Sequence, residues 1–185
     1  MQKIAQLQLP SGQLLALRTF TEEDFDEVHE YATDPLVYRY AEWGPNTEAQ
    51  TREFIAQAMA QQEDSISCAV VLDDQVIGAA AVWSTDATVP AGELGYGLNS
   101  KYWGRGYATA VAGLLVELGF TTLGIHRLTA TCAPANAASA RVLQKNGFKL
   151  EGRLRDHKRV RGEFRDSLLF SRLRTDPPPS AEAQA

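Results

Sequence analysis

Apolar residues recur with two different periods along the chain, and the switches between them mark its elements. Leu-Leu-Ala-Leu-Arg at 14–18 predicts a first strand. Thr21 then precedes Glu22, Glu23 and Asp24, an N-cap with an acidic first turn, so a helix is expected to about Ala32, where Asp34-Pro35 stops it. Residues 36–45 carry Tyr38, Tyr40 and Trp43 with no deciding period. A second helix begins at Thr47, with Phe54, Ile55, Ala58 and Met59 on one face. Runs at 65–72 and 76–83 flank Asp73-Asp-Gln75, which signals a hairpin. After a loop at 84–91, residues 92–99 predict a strand whose Gly95 and Gly97 suggest a bulge or a close backbone approach.

Ala108, Val111, Ala112, Leu115 and Leu118 follow at helical spacing, predicting a long helix over 105–119. Residues 128–132 read as a short buried strand, and Pro134-Ala-Asn136 leads into a helix that stops near Asn146-Gly147. Residues 148–160 and 164–173 then pair across Arg161-Gly-Glu163. Helices lying between some strands imply an α/β layered domain with a mixed, partly antiparallel sheet. One domain over 1–174 is expected, and the tail over 175–185, with Pro177-Pro-Pro179, should be disordered.

Composition narrows the setting. The 185 residues suffice to bury a substantial core, and 44% hydrophobic with 22% charged residues fits a soluble globular protein. A net charge of −5 disfavours non-specific nucleic-acid binding. The N-terminal Met-Gln-Lys-Ile-Ala-Gln lacks a signal-peptide run, and no apolar segment approaches the roughly 20 residues of a membrane span. Cys68 and Cys132 make neither a disulfide framework nor a metal quartet. A cytoplasmic protein, monomeric or homodimeric, is expected.

The candidate chemistry centres on Gly95-Tyr-Gly-Leu-Asn-Ser-Lys-Tyr-Trp-Gly-Arg-Gly-Tyr-Ala-Thr109: a strand, a glycine turn and a helix start. A turn that opens a helix leaves backbone N–H groups unpaired at the positive end of its dipole, and glycines let a ligand approach, so the loop suits a pyrophosphate. No Gly-Lys-Ser or Gly-Lys-Thr exists for a P-loop. Gly104-Arg-Gly106 lacks the third glycine of a dinucleotide fingerprint and comes after a hairpin, midway along the chain.

Lys101-Tyr-Trp-Gly104-Arg-Gly106-Tyr-Ala-Thr resembles the [QR]xxGx[GA] acyl-CoA loop of the GNAT N-acetyltransferases, with wording closest to the branch of the ribosomal-protein alanine N-acetyltransferases. Lys101 departs from the usual Gln or Arg. Asn136-Ala-Ala-Ser139, followed by Lys145-Asn-Gly147-Phe148, resembles the second signature, NxxSxxxxxKxGF. Both signatures occur in order, and the element order matches the GNAT acyl-CoA N-acyltransferase fold, a mixed and mostly antiparallel sheet flanked by helices.

The resemblance implies direct transfer of an acetyl group from acetyl-CoA to an amine in a ternary complex. Backbone from Arg105 through Gly106, Tyr107 and Ala108 to Thr109 would hold the pyrophosphate, with Arg105 adding charge. Pantetheine would pair with the strand edge at Leu98 and Asn99, where a bulge splays the sheet, and a backbone N–H near Leu98 would polarise the carbonyl. Asn136 would cap its helix or bond the ligand's amides. Glu93 is the candidate base, through water; its bland alternative is a solvent-facing carboxylate. The tyrosine that often protonates the thiolate is replaced by Leu143, so Ser139 is the substitute donor, its alternative being a hydroxyl bonded to its own backbone.

Other residues weigh less. His29, His126 and His157 lack metal-ligand spacing, Cys132 reads as inert core, and the basic run from Arg153 to Arg165 reads as a solvated edge. Trp43, Tyr38 and Tyr40 could line an acceptor pocket, and Asp166 has no assigned chemistry. The preferred acceptor is a protein N-terminal α-amine. A small amine (antibiotic, polyamine or amino acid) and a non-catalytic acyl-CoA-binding module are the alternatives.

Overall fold

A computed structural model describes residues 2–60, 62–86 and 88–179. Among the described residues, eight strands form one sheet in the order β1-β2-β3-β4-β5-β6-β8-β7. They are β1 (Lys3–Gln8), β2 (Leu14–Arg18), β3 (Ser65–Leu72), β4 (Gln75–Ser84), β5 (Ala91–Leu98), β6 (Arg127–Cys132), β7 (Lys149–Val160) and β8 (Glu163–Leu173). The helices are α1 (Phe25–Ala32), α2 (Pro35–Tyr38), α3 (Glu48–Met59), α4 (Tyr107–Thr121) and α5 (Ala137–Lys145). This is the mixed, mostly antiparallel sheet flanked by helices that the sequence led us to expect. Every neighbouring pair is antiparallel except β5 and β6. Parallel neighbours need a crossover, and α4 supplies it.

Two cores sandwich the sheet. Leu15, Leu17, Cys68, Val70, Ile77 and Val82 point to one face, where Val111, Leu115 and Leu118 of α4 cover them. Ala69, Val71 and Val76 point to the other, against Val28, Tyr31, Ile55 and Ala58 of α1 and α3. Strands clad on both faces are apolar in succession, which explains the unbroken run in β3. On α3 the buried positions are Thr51, Ile55 and Ala58, whereas Phe54 and Met59 lie exposed. The apolar face read from the sequence was thus displaced toward solvent, because Thr51 bonds His29 and belongs to the packed side.

Several boundaries differ from the expectation. β1 was not foreseen: its Lys-Ile-Ala-Gln-Leu-Gln is mostly solvent-exposed and carries little apolar pattern. Residues 22–24 form a 3-10 turn before α1, with Thr21 and Asp24 making a reciprocal capping box. The undecided stretch at 36–45 begins within α2, capped by Asp34, which accepts from the Leu36 N–H. The β3–β4 turn is tighter than three residues, because Asp73 and Asp74 both adopt positive φ (47° and 70°), the conformation of a two-residue hairpin. Arg105 precedes α4 rather than opening it. Of the expected tail, Asp176 accepts hydrogen bonds from Lys149 and the Leu173 N–H, and residues 180–185 lie outside the described residues.

Candidate active site

The site begins where two parallel strands separate. β5 and β6 pair only at Ala91–Arg127, Gly92–Leu128 and Glu93–Thr129, and then diverge. The register of β5 against β4 runs without interruption from Gly92 to Leu98, so the bulge expected at Gly95 or Gly97 is absent. Divergence from β6 opens the sheet instead. Gly92 seals the closed end, since a Cβ there would stand 2.5 Å from the Trp83 carbonyl oxygen and 2.4 Å from Ile125 Cδ1.

The ladder dictates which backbone groups face the opening. The Asn99 N–H donates to the Ile77 carbonyl at 2.8 Å, and Gly78 faces Leu98. Bonded and non-bonded pairs alternate in an antiparallel ladder. The N–H and C=O groups of Leu98, Tyr96 and Leu94 therefore point away from β4, toward the gap that β6 leaves. The Leu98 carbonyl is taken by Trp103, whose Nε1–H donates to it at 2.9 Å. Trp103 was missed in the sequence reading; the signal available was an indole just before the loop glycine.

From Leu98 the chain turns through Ser100–Tyr102 to the glycine loop. Asn99 is buried, and its side chain accepts from the Lys101 N–H at 3.1 Å, so the Asn99 side chain shapes the turn from inside. Ser100 bonds Asp34 and Lys101 pairs with Glu30, tying the loop to α1 and α2. Gly104 and Gly106 take φ of +75° and +81°. A Cβ at either would meet nothing within 4 Å, so conformation, not space, requires glycine. Gly106 is the N-cap of α4 and offers no side chain, and the Ala110 N–H closes the first turn on the Gly106 carbonyl. The amides of Tyr107, Ala108 and Thr109 consequently have no helical acceptor. Arg105 is exposed beside them.

Two buried polar side chains hold this helix start. The Tyr107 hydroxyl donates to Gln13 at 2.8 Å, so its side chain packs into the fold. Asn146 donates to the Thr109 carbonyl (3.1 Å) and the Val142 carbonyl (2.9 Å), clamping the first turn of α4 to the end of α5. Reading Asn146 only as a helix stop missed that cross-link.

Glu93 stands at the fork, half-buried on the face opposite α4. Burial raises its pKa; Lys158 and His157 partly offset this, and Glu42 adds to it. A carboxylate raised in this way is a stronger base than a solvated one. Leu94, Tyr96 and Leu98 alternate onto the other face. There Tyr96 brings its hydroxyl to 3.2 Å from Ser139 Oγ and 3.5 Å from the Ser139 carbonyl. Burial holds the Tyr96 pKa above its ordinary value, with the Ser139 bond drawing it back. Ser139 lies in the first turn of α5, where its N–H donates to Asn136 Oδ1 at 3.1 Å. Asn136 thus caps the helix with the same side chain assigned to ligand contact. Leu143 is 1% exposed and belongs to the core.

The acceptor side is walled by the β7–β8 hairpin and the segment after α1. A cavity of about 60 Å³ is lined by Arg39, Tyr40, Cys132, Lys158, Arg165 and Asp166, among others. The Tyr40 hydroxyl donates to the Ala135 carbonyl at 3.3 Å, and Arg161 donates to the carbonyls of Tyr38, Arg39 and Gly44. Lys158 pairs with Glu42 at 2.6 Å. The basic run is therefore more than a solvated edge: it buttresses the wall opposite Glu93. Asp166 gains a structural role, accepting from the Asp156 N–H and pairing with Arg153, which together hold its pKa down. A larger cavity of about 310 Å³ lies under the end of α3, lined by Gln57, Asp64, Ser67 and Trp83, and Trp83 is the β4 residue that pairs with Glu93. Trp43 is exposed and lines neither cavity.

A splayed parallel strand pair, a strand edge turned toward the gap and a helix start with unpaired amides are the features an acyl-CoA transferase site requires. The family described as Acetyltransferase (GNAT) domain matches residues 15–149, and the chain belongs to it. Acetyl transfer from acetyl-CoA is accordingly its chemistry. The uncharacterized N-acetyltransferase p20 of Bacillus licheniformis is 32% identical over 167 residues, covering 88% of this chain and 94% of that protein. Spermidine N(1)-acetyltransferase of Escherichia coli (strain K12) is 23% identical, covering 86% of each. The [Ribosomal protein uS5]-alanine N-acetyltransferase of Escherichia coli is 30% identical over 86 residues, covering 46% of this chain and 44% of that protein. A GNAT acetyltransferase structure from Bacillus anthracis superposes with a TM-score of 0.83 at 28% identity, covering 95% of this chain and all of that one.

Proposed function

We propose that this enzyme acetylates the α-amine of a protein N-terminus, in the cytoplasm. The named acceptors of its relatives, spermidine and a ribosomal-protein alanine, leave the choice to the acceptor wall. One observation carries it: Arg39, Lys158 and Arg165 line the cavity beside the fork, against Asp166 as the only acidic residue among its lining residues. Lys158 and Arg165 are paired with Glu42 and Glu163, and Asp166 is taken by Arg153. This wall therefore offers a polycation no unpaired lining carboxylate, while a peptide's backbone carbonyls can accept from Arg39. An α-amine, with a pKa of about 7.7–8.0 against about 10.4 for a lysine-type amine, also asks less of a glutamate base.

In this reading the amides of Tyr107, Ala108 and Thr109 hold the pyrophosphate, with Arg105 beside it, and the Leu98 N–H polarises the thioester carbonyl. Glu93 takes the amine proton through water as the C–N bond forms and the C–S bond breaks. Ser139 gives a proton to the leaving thiolate. The test is thiol release from acetyl-CoA with a panel of short peptides, spermidine and an aminoglycoside. Peptides with free N-termini should be consumed while blocked peptides and spermidine are not. Faster release with spermidine would sink the α-amine assignment, and CoA binding without release for any amine would sink catalysis.

A further inference from the structure

The position that often carries the thiolate's proton donor holds Leu143, which is 1% exposed in the core. A serine hydroxyl alone is a poor substitute, because it does not ionise in the accessible range and has no proton to spare unless one replaces it. The phenol that could replace it enters from a different element. Tyr96 projects from β5, two residues before Leu98, and its hydroxyl sits 3.2 Å from Ser139 Oγ. Its other contact, at 3.5 Å, is the carbonyl of the same serine. We infer that Tyr96 is a positioning residue that donates to Ser139 Oγ, so that the serine proton faces the leaving sulfur and is replaced by the tyrosine proton.

This rests on the reading of Ser139 as the thiolate's donor. The balance closes without any further reactant. The sulfur takes the Ser139 proton, Ser139 takes the Tyr96 proton, and the Tyr96 oxygen recovers through water the proton that the amine gave up. Net, one proton moves from nitrogen to sulfur. Tyr96 keeps its proton at neutral pH, since burial raises its pKa, and gives it up only as the more basic serine oxygen loses its own. A sulfur in the same cleft is likewise a stronger base than in water: burial raises the neighbouring Cys132 thiol, with its Ser139 bond drawing it back. The geometry also explains why a tyrosine is affordable in β5, since its ring packs against the α4-side core while only its hydroxyl meets Ser139.

The experiment is a single-turnover double-mutant cycle with Tyr96→Phe, Ser139→Ala and the double variant, using acetyl-CoA and the best peptide acceptor. Coenzyme A affinity and the melting curve serve as controls, because Phe keeps the ring and removes only the hydroxyl. Tyr96→Phe should slow the chemical step by about tenfold or more at unchanged coenzyme A affinity. The double variant should be no slower than Ser139→Ala. A proton inventory in mixed heavy water should curve for the wild type and become linear for Tyr96→Phe. A wild-type rate for Tyr96→Phe, with Ser139→Ala slow, overturns the inference and leaves the donor role of Ser139 standing. Additive losses overturn it as well, by making Tyr96 independent of Ser139. A wild-type rate for Ser139→Ala removes the donor reading, and with it this one.

Discussion

Single residues in this protein are legible through their partners. Arg18 and Asp24 form a bidentate pair at 2.6 and 2.7 Å, and the Thr21 N–H adds a third bond to the same carboxylate at 2.9 Å. Burial alone would raise the Asp24 pKa, but the Arg18 and Thr21 bonds outweigh it and the net shift is downward from 3.8. A lowered carboxylate contributes stability above its unfolded pKa and loses that contribution as pH falls through the folded value. Asp24→Asn should destabilise by about 3 kcal/mol at neutral pH, because Arg18 would be left buried without its charge partner. The difference from wild type should shrink below about pH 4, in chemical denaturation measured across pH. Glu93 carries the opposite sign. As the proposed base, Glu93 with its raised pKa should place the acid limb of the acceptor rate above the ordinary glutamate range. Glu93→Gln should lower kcat by about a hundredfold and abolish that limb. An unchanged pH–rate profile would exclude Glu93 as the base.

At the scale of elements, the helix start of α4 depends on one left-handed residue. Gly106 has φ +81° with open space around it, so a side chain there would cause strain rather than collision. Gly106→Val should cost roughly 1–2 kcal/mol and swing the Tyr107–Thr109 amides off their common target. Calorimetry should then show coenzyme A affinity falling by tenfold or more, and undiminished affinity would remove the loop assignment. The sheet's far half is held by a comparable local device. Arg127 of β6 reaches Glu151 of β7 across β8, and Ser171 of β8 donates to the same carboxylate at 2.6 Å. Those bonds hold the Glu151 pKa down to about 2. Three strands are thus pinned beside the fork, at the end where β6 is still paired with β5.

Across the whole molecule, the β7–β8 hairpin completes a wall whose other side, at residues 38–44, lies 117 to 123 residues before Arg161. Arg161 sits at the β7–β8 turn and reaches three carbonyls in the 38–44 segment, while its guanidinium lies 5.4 Å from the Tyr38 ring centre. Arg161→Ala should loosen this wall and leave the coenzyme A loop untouched. We expect KM for the acceptor to rise about tenfold, equivalent to about 1.4 kcal/mol, with coenzyme A affinity unchanged. Loss of both affinities together would mean that the hairpin stabilises the fold rather than the acceptor side.

The local pattern was sufficient for what short-range physics decides. Gly104, Gly106, Thr47, Asn136 and Gly147 announce turns, caps and stops through backbone conformation that their own side chains permit, and the helix periods of 107–121 and 137–145 follow from burial on a face. Two motifs at independent spacing carried the family. What the sequence left undetermined is long-range in origin. The missing bulge, the parting of β5 from β6 after Glu93, the Trp103 indole on the Leu98 carbonyl, and the Tyr96 hydroxyl on Ser139 join residues whose proximity no local pattern encodes. β1 escaped notice because an edge strand facing solvent has no apolar signature. Spacing along the chain fixed which amides could grip an anion. Only the packed sheet decided which side chains would stand beside the opened strand, because their meeting depends on the arrangement of all eight strands.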